Sequence, residues 1–204
     1  MNVQDLGANL DFEETWTRQE GLVAQRLRGE IPDTLLLLEH APVYTIGRTR
    51  DLSSLRDHLP HPVVEINRGG QATYHGPGQL TGYAILDLTP RGRDLHLHLR
   101  QLEEVLIRFL ATYGVAAHRE EGRTGVWISP TKKIASLGVG VRKWVTLHGF
   151  AINLTAESLP PFQAITPCGL AGVSMTSLES EAGTRPDLSE AKKRLGGIAQ
   201  EILG

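Results

Sequence analysis

Cysteine occurs once in this 204-residue chain, so no internal disulfide can form. A basic excess is missing too. Lys and Arg number 21 against 23 Asp and Glu, a net charge of −2, which argues against a nucleic-acid binder. No apolar run approaches the roughly 18 residues of a membrane helix, and stretches such as Leu35 to Leu38 are strand-sized. The N-terminus has no basic segment followed by an apolar one. No secretory signal is expected, and a cytoplasmic location is. Gly-x-x-x-x-Gly-Lys-Ser/Thr is absent, as is a Gly-x-Gly-x-x-Gly opening a helix, so nucleotide binding through those motifs has no support. There is no internal repeat, low-complexity segment or dividing linker. What remains is 40% hydrophobic and 22% charged, a composition suited to one well-buried domain over residues 1–204.

Helix and strand signals alternate along that domain. Asp11 and Glu14 form a capping-box pattern ahead of Phe12, Trp16, Val23 and Leu27, which share a helical face and end near Arg28-Gly29. Thr34 to Glu39 and Pro42 to Ile46 read as strands, and Thr49 to Pro62 as a surface excursion. Leu95, Leu99, Leu102, Leu106, Phe109 and Tyr113 trace a long amphipathic helix stopped by Gly114. Val115 to Ala117 and Gly125 to Ile128 read as short strands about a charged turn, His118 to Arg123. Lys133 to Val141 and Trp144 to Leu154 form a hairpin turning at Arg142-Lys143. Both its faces are apolar, so cover on each side is expected. Asp187 caps a last helix through Leu188, Ala191, Leu195, Ile198 and Ile202. The expected class is α/β (α+β): three main helices on a mostly antiparallel or mixed central sheet.

The richest stretch is Arg68-Gly-Gly-Gln-Ala-Thr-Tyr-His-Gly-Pro-Gly-Gln79. It follows the apolar run Val63 to Ile66 and precedes Leu80 to Leu88. Glycine and proline exclude a helix there, and glycine lets backbone approach a ligand closely. The segment reads as a loop cradling a ligand, with Arg68 and His75 as polar heads.

Cys168 lies between Pro167 and Gly169, on a predicted sharp bend. It is either a small buried hydrophobe or a nucleophile whose pKa a nearby cation lowers. Lys133, beside the decoy Lys132, could supply that cation. His75 or His148 could serve as base in a Cys–His arrangement, or be a structural histidine. His96 and His98 are two apart on a helix and do not share a face, and no ligand spacing points to zinc. Lys132, Lys133, Arg142 and Lys143 are the clearest basic cluster, either a solvated hairpin end or a dock for an acidic partner.

Four motifs in order, Arg68 to Gln79, Lys133-Ile-Ala-Ser-Leu-Gly138, His148-Gly-Phe-Ala-Ile-Asn153 and Pro167-Cys-Gly169, resemble the octanoyltransferases of lipoate synthesis, the lipoate-protein ligase B family. The resemblance spans nearly the whole chain. It implies a fold like the catalytic domain of biotin and lipoate protein ligases. It implies transfer of an octanoyl group from octanoyl-acyl carrier protein to a lysine on lipoyl domains of 2-oxoacid dehydrogenase complexes (E2 subunits) and of the glycine cleavage H protein. Cys168 falls on the family's nucleophile, which forms an acyl-thioester, and Lys133 on the lysine that activates it. The family's substrate-binding segments fall on Arg68, Gly69, Gly70, Gln71, Ala72, Thr73, Tyr74 and His75, on Ser136, Leu137 and Gly138, and on Gly149, Phe150 and Ala151.

That chemistry needs no ATP, cofactor or metal, because a thioester donor is already activated. It needs oxyanion donors, for which backbone N–H groups near Gly69-Gly70 or the Cys168 bend are candidates. It also needs an apolar slot, which the small Gly138, Gly149 and Ala151 could leave open. Rival readings are an ATP-dependent lipoate or biotin ligase on the same fold, a cysteine thioesterase, and a non-catalytic binding module.

Overall fold

A computed structural model describes residues 1–48, 54–56, 58–166 and 172–204. Among these, the chain runs β1 (Asn2–Asp5), α1 (Phe12–Leu27), β2 (Thr34–Leu38), β3 (Val43–Ile46), β4 (Val63–Glu65), β5 (Thr73–His75) and β6 (Gln79–Ile85). It continues through α2 (Leu95–Ala111), β7 (His118–Glu120), β8 (Arg123–Ser129), β9 (Lys132–Arg142), β10 (Val145–Asn153), β11 (Ser174–Met175), α3 (Leu178–Ala182) and α4 (Leu188–Leu203). The main sheet has the order β1-β2-β6-β10-β9-β8-β7, with β11 beside β9. Its pairs are antiparallel except β1–β2 and β11–β9. A smaller sheet has the order β4-β3-β5.

Sequence decides the layers. β2 is Thr-Leu-Leu-Leu-Leu, buried at every position, the pattern of a strand covered on both faces. Leu35 and Leu37 join the large core with α2 and α4, including Leu102, Leu106, Leu195 and Ala199. Leu36 and Leu38 point the other way, onto Tyr83 and Leu22 of α1. The hairpin β9–β10 is likewise covered, by α2 on one side and α1 on the other. The expected sheet with three long helices is therefore present.

Helix ends follow their caps. Asp11 accepts from the Glu14 N–H, Asp94 from Leu97 N–H and Asp187 from Glu190 N–H. The face of α1 is narrower than expected, since Leu27 is exposed while Thr15 and the fully buried Gln19 take inward places. α2 ends at Ala111, so Tyr113 lies beyond it, before Gly114 at φ +74°.

Four boundaries differ from the sequence reading. Val115 to Ala117 is not a strand. β7 starts at His118, and the turn to β8 sits on Glu121-Gly122, where Gly122 takes φ +72°. The β9–β10 turn sits on Lys143-Trp144, both at positive φ, one residue later than expected, because Arg142 pairs with Val145. The basic cluster is thereby divided: Lys132-Lys133 and Arg142-Lys143 occupy opposite ends of β9, roughly 30 Å apart at a strand's rise. The glycine-rich segment contains a strand, β5, paired with β3. Of the expected surface excursion, residues 49–53 and 57 lie outside the described residues. Ser54 is buried, and Leu55 bridges to Ile165.

Candidate active site

A narrow pocket of about 50 Å³, partly open to solvent, lies between the two sheets. Every residue expected to bind substrate lines it except Gly69 and Tyr74. Tyr74 turns away, because alternation along β5 sends it into the second core with Tyr44 and Phe162. The Gly69 N–H donates to Val139 O (3.2 Å) and so is engaged rather than waiting as an oxyanion donor.

Arg68 is chiefly a brace. Its Nη2 donates to Thr45 O and Thr45 Oγ1, each at 2.9 Å, and its Nη1 to Gly69 O at 2.9 Å. These bonds clamp the glycine-rich segment onto β3. Its stem crosses β9 where a Cβ on Gly138 would lie 2.9 Å from Arg68 Cδ, so only glycine fits. Gly149 is similarly required, because a Cβ there would overlap Gly82 O on β6.

The histidines divide. His75 Nδ1 meets Gln79 Oε1 at 2.8 Å. Gln79 Nε2 donates to Asn153 Oδ1 (3.0 Å), and Asn153 Nδ2 donates to Thr176 O (2.9 Å). A backbone carbonyl can only accept, so the relay fixes both amides and leaves the His75 proton on Nδ1. Burial, with the charges of nearby groups, holds the His75 imidazole well below the ordinary histidine range. His148 lines the pocket, is buried, and has no partner on either ring nitrogen among the described residues. Burial, and then the charge of Arg68, pushes it down to about 4. Its backbone takes φ +61° in mid-strand, held by its N–H to Gln19 Oε1 at 2.8 Å. As expected, His96 and His98 diverge: His98 is buried and His96 exposed. Among the described residues no three His, Cys, Asp or Glu side chains group as metal ligands.

Of the two lysines opening β9, Lys133 is buried, and Lys132 lies half in solvent, 3.4 Å from Glu181. Lys133 Nζ donates to Thr124 O at 2.9 Å and stands 5.1 Å from the Trp127 ring centroid. Gly125 makes room for it. A Cβ there would overlap Lys133 Cε and lie 2.9 Å from Nζ and from Ala135 O. Lys133 is not part of the pocket lining, which begins three residues farther along β9 at Ser136. Cys168 lies outside the described residues. The chain that follows it returns to β9 as β11, where Met175 pairs with Lys133 and the Thr176 N–H donates to Lys133 O.

The family model for the lipoyl protein ligase A/B catalytic domain matches residues 11–198. An octanoyltransferase from Geotalea uraniireducens is 53% identical over 203 residues, covering 100% of this chain and 93% of that protein. The chain belongs to the octanoyltransferase family. The bi-partite lipoate protein ligase of Thermoplasma acidophilum superposes with a TM-score of 0.69 at 17% identity, over 99% of this chain and 84% of that one. The biotin protein ligase of Aquifex aeolicus gives 0.56 at 16%, over 100% and 68%. At such identities these two likenesses establish the fold alone, which is the expected one.

In this octanoyltransferase-family chain several lining residues escaped the sequence reading. Phe12 reaches the pocket from α1, and Tyr83 from β6. The Tyr83 hydroxyl donates to His40 Nε2 at 2.7 Å, since His40 Nδ1 must donate to Leu10 O (3.1 Å). Burial raises the Tyr83 phenol and pushes His40 down to about 4. Alternation marks Tyr83 as facing away from Ala84, but nothing local says that this side holds a pocket. Gly125 gave no signal either, because its constraint comes from a side chain eight residues on.

Proposed function

We propose that residues 1–204 act as one catalytic unit that takes an octanoyl group from octanoyl-acyl carrier protein onto Cys168 as a thioester, then passes it to a lysine of a lipoyl domain. Acceptors of this kind are the E2 subunits of 2-oxoacid dehydrogenase complexes and the glycine cleavage H protein. In the first step the thiolate attacks the donor's thioester carbon, a C–S bond forms, and the carrier's thiol leaves. In the second the acceptor amine attacks, the C–N bond forms, the Cys168 sulfur leaves, and the amine loses a proton. Lys133 is the cation that keeps the Cys168 sulfur ionised between steps. The pocket takes the acyl tail, where each buried methylene contributes about 0.8 kcal/mol.

The observation that carries this reading is Lys133 itself. A lysine is almost never fully buried without a functional or structural reason, and this one stands where β11 brings the chain back from Cys168. The sequence likeness to octanoyltransferases, at about half identity over the full chain, selects the acyl group.

Intact mass after mixing with octanoyl-acyl carrier protein tests the proposal. One octanoyl adduct is expected, lost in Cys168→Ser. Transfer that survives Cys168→Ser at the parent rate would remove the thioester from the mechanism. Turnover that needs ATP and free acid would favour a ligase instead.

A further inference from the structure

We propose that Glu103 is a positioning residue for Lys133, acting through the one peptide group that joins Thr124 to Gly125. The inference rests on the role given to Lys133 above. Glu103 lies on α2, is 1% exposed, and accepts the Gly125 N–H on Oε1 at 3.1 Å. Lys133 Nζ donates to Thr124 O at 2.9 Å. That carbonyl and that N–H belong to the same peptide unit. A carboxylate therefore sits at one end of the amide and an ammonium at the other. Hydrogen bonds in such a row polarise one another, and a charge at either end strengthens both. The carboxylate draws the N–H, the carbonyl oxygen gains density, and the lysine is held at a fixed point on β8.

The carboxylate is itself fixed. Its Oε2 takes Arg100 Nη1 at 2.7 Å and Arg119 Nε at 3.2 Å, from α2 and β7, which leaves Oε1 for the peptide. Gly125 completes the device, for any Cβ there would collide with the Lys133 stem. A buried Glu on an amphipathic helix whose other inward residues are Leu, Val, Phe and His is costly unless fully bonded. Here both oxygens are used, and one of them reaches the peptide that holds the lysine.

The test is the pH midpoint for alkylation of Cys168 by iodoacetamide in the full chain, read with steady-state transfer and thermal melts. Lys133→Met is expected to raise the midpoint by about one unit or more. Glu103→Gln keeps an acceptor but loses the charge, and should raise it by about half a unit. Glu103→Leu loses both, and should raise it by about one. In both Glu103 variants kcat should fall about three- to tenfold while the KM for donor stays near parent, since Glu103 does not line the pocket. If Lys133→Met moves the midpoint and the two Glu103 variants do not, Lys133 keeps its role and Glu103 is only a staple between α2 and β8. A lowered melting temperature without a shifted midpoint would equally reduce Glu103 to that staple. If Lys133→Met leaves the midpoint in place, the role of Lys133 fails, and this proposal with it.

Discussion

Gly125→Ala should damage both stability and transfer, by amounts that the local geometry sets. Gly125 takes φ +135°, where an L side chain costs roughly 1–2 kcal/mol. The new methyl would also overlap Lys133 Cε and press on Ala135 O, an overpacking cost of about 1–3 kcal/mol. Together these come to about 2–5 kcal/mol, which lowers the melting temperature by roughly 5–15 °C in a chain of this size. The methyl also displaces the lysine Nζ, and a shift of about 1 Å can cost about a hundredfold in rate. Circular dichroism melts and single-turnover transfer would measure the two losses separately. The double variant Gly125→Ala, Lys133→Ala gives a sharper reading. Removing the lysine stem relieves one clash but neither the φ strain nor the contact with Ala135 O. Its stability loss should fall short of the summed single losses by about 1 kcal/mol. A Gly125→Ala protein that melts within about 2 °C of parent and transfers at the parent rate would refute the claim that this glycine makes room for Lys133.

Lys132→Ala should change stability by less than about 0.5 kcal/mol and leave transfer intact, as expected for a half-exposed partner of Glu181, whereas Lys133→Ala should cut transfer by orders of magnitude with the fold retained. Gly149→Ala should cost about 2–5 kcal/mol, or prevent soluble expression, because its methyl meets the Gly82 carbonyl across a rigid strand pair; chemical denaturation would show it. Acid should destabilise the fold early. His40, His98 and His148 titrate near 4 when folded, against about 6.5 in an unfolded chain. The unfolded state then binds more protons between those values, so the stability these residues supply is whole above about pH 6.5 and is lost as pH falls toward 4. Melts at pH 7.5, 6 and 4.5 should fall steadily, and a flat series would contradict their burial as neutral rings.

Much of this was legible in the sequence because the signals were local. Asp11 and Asp187 each cap a helix as expected, and the apolar run of β2 announced a buried strand. Three of the four motifs found the pocket's lining, on the glycine-rich segment, β9 and β10, and the fourth lies outside the described residues. Where the reading failed, distant residues decided. The β9–β10 turn shifted to Lys143-Trp144, a pair that lacks the glycine usual at such turns. The glycine-rich segment holds β5 because β3, almost thirty residues earlier, offers Val43 to Thr45 as partners. Arg68 does line the pocket, as a polar head was expected to, and the part missing from the sequence is that the hydroxyl and carbonyl of Thr45 also hold its guanidinium. Sequence also could not choose between Lys132 and Lys133 by type. Only the parity of β9, set by its pairing with β8, sends one inward.

The outer rim of the main sheet at β7 is three residues long and reads His118-Arg119-Glu120. Arg119 reaches sideways to Glu104 of α2, and His118 to Glu120. A strand so short and so charged offers a second copy almost no ladder to extend. Concentrated solutions should therefore resist edge-to-edge stacking along this border, and Arg119→Val with Glu120→Val should make them prone to it.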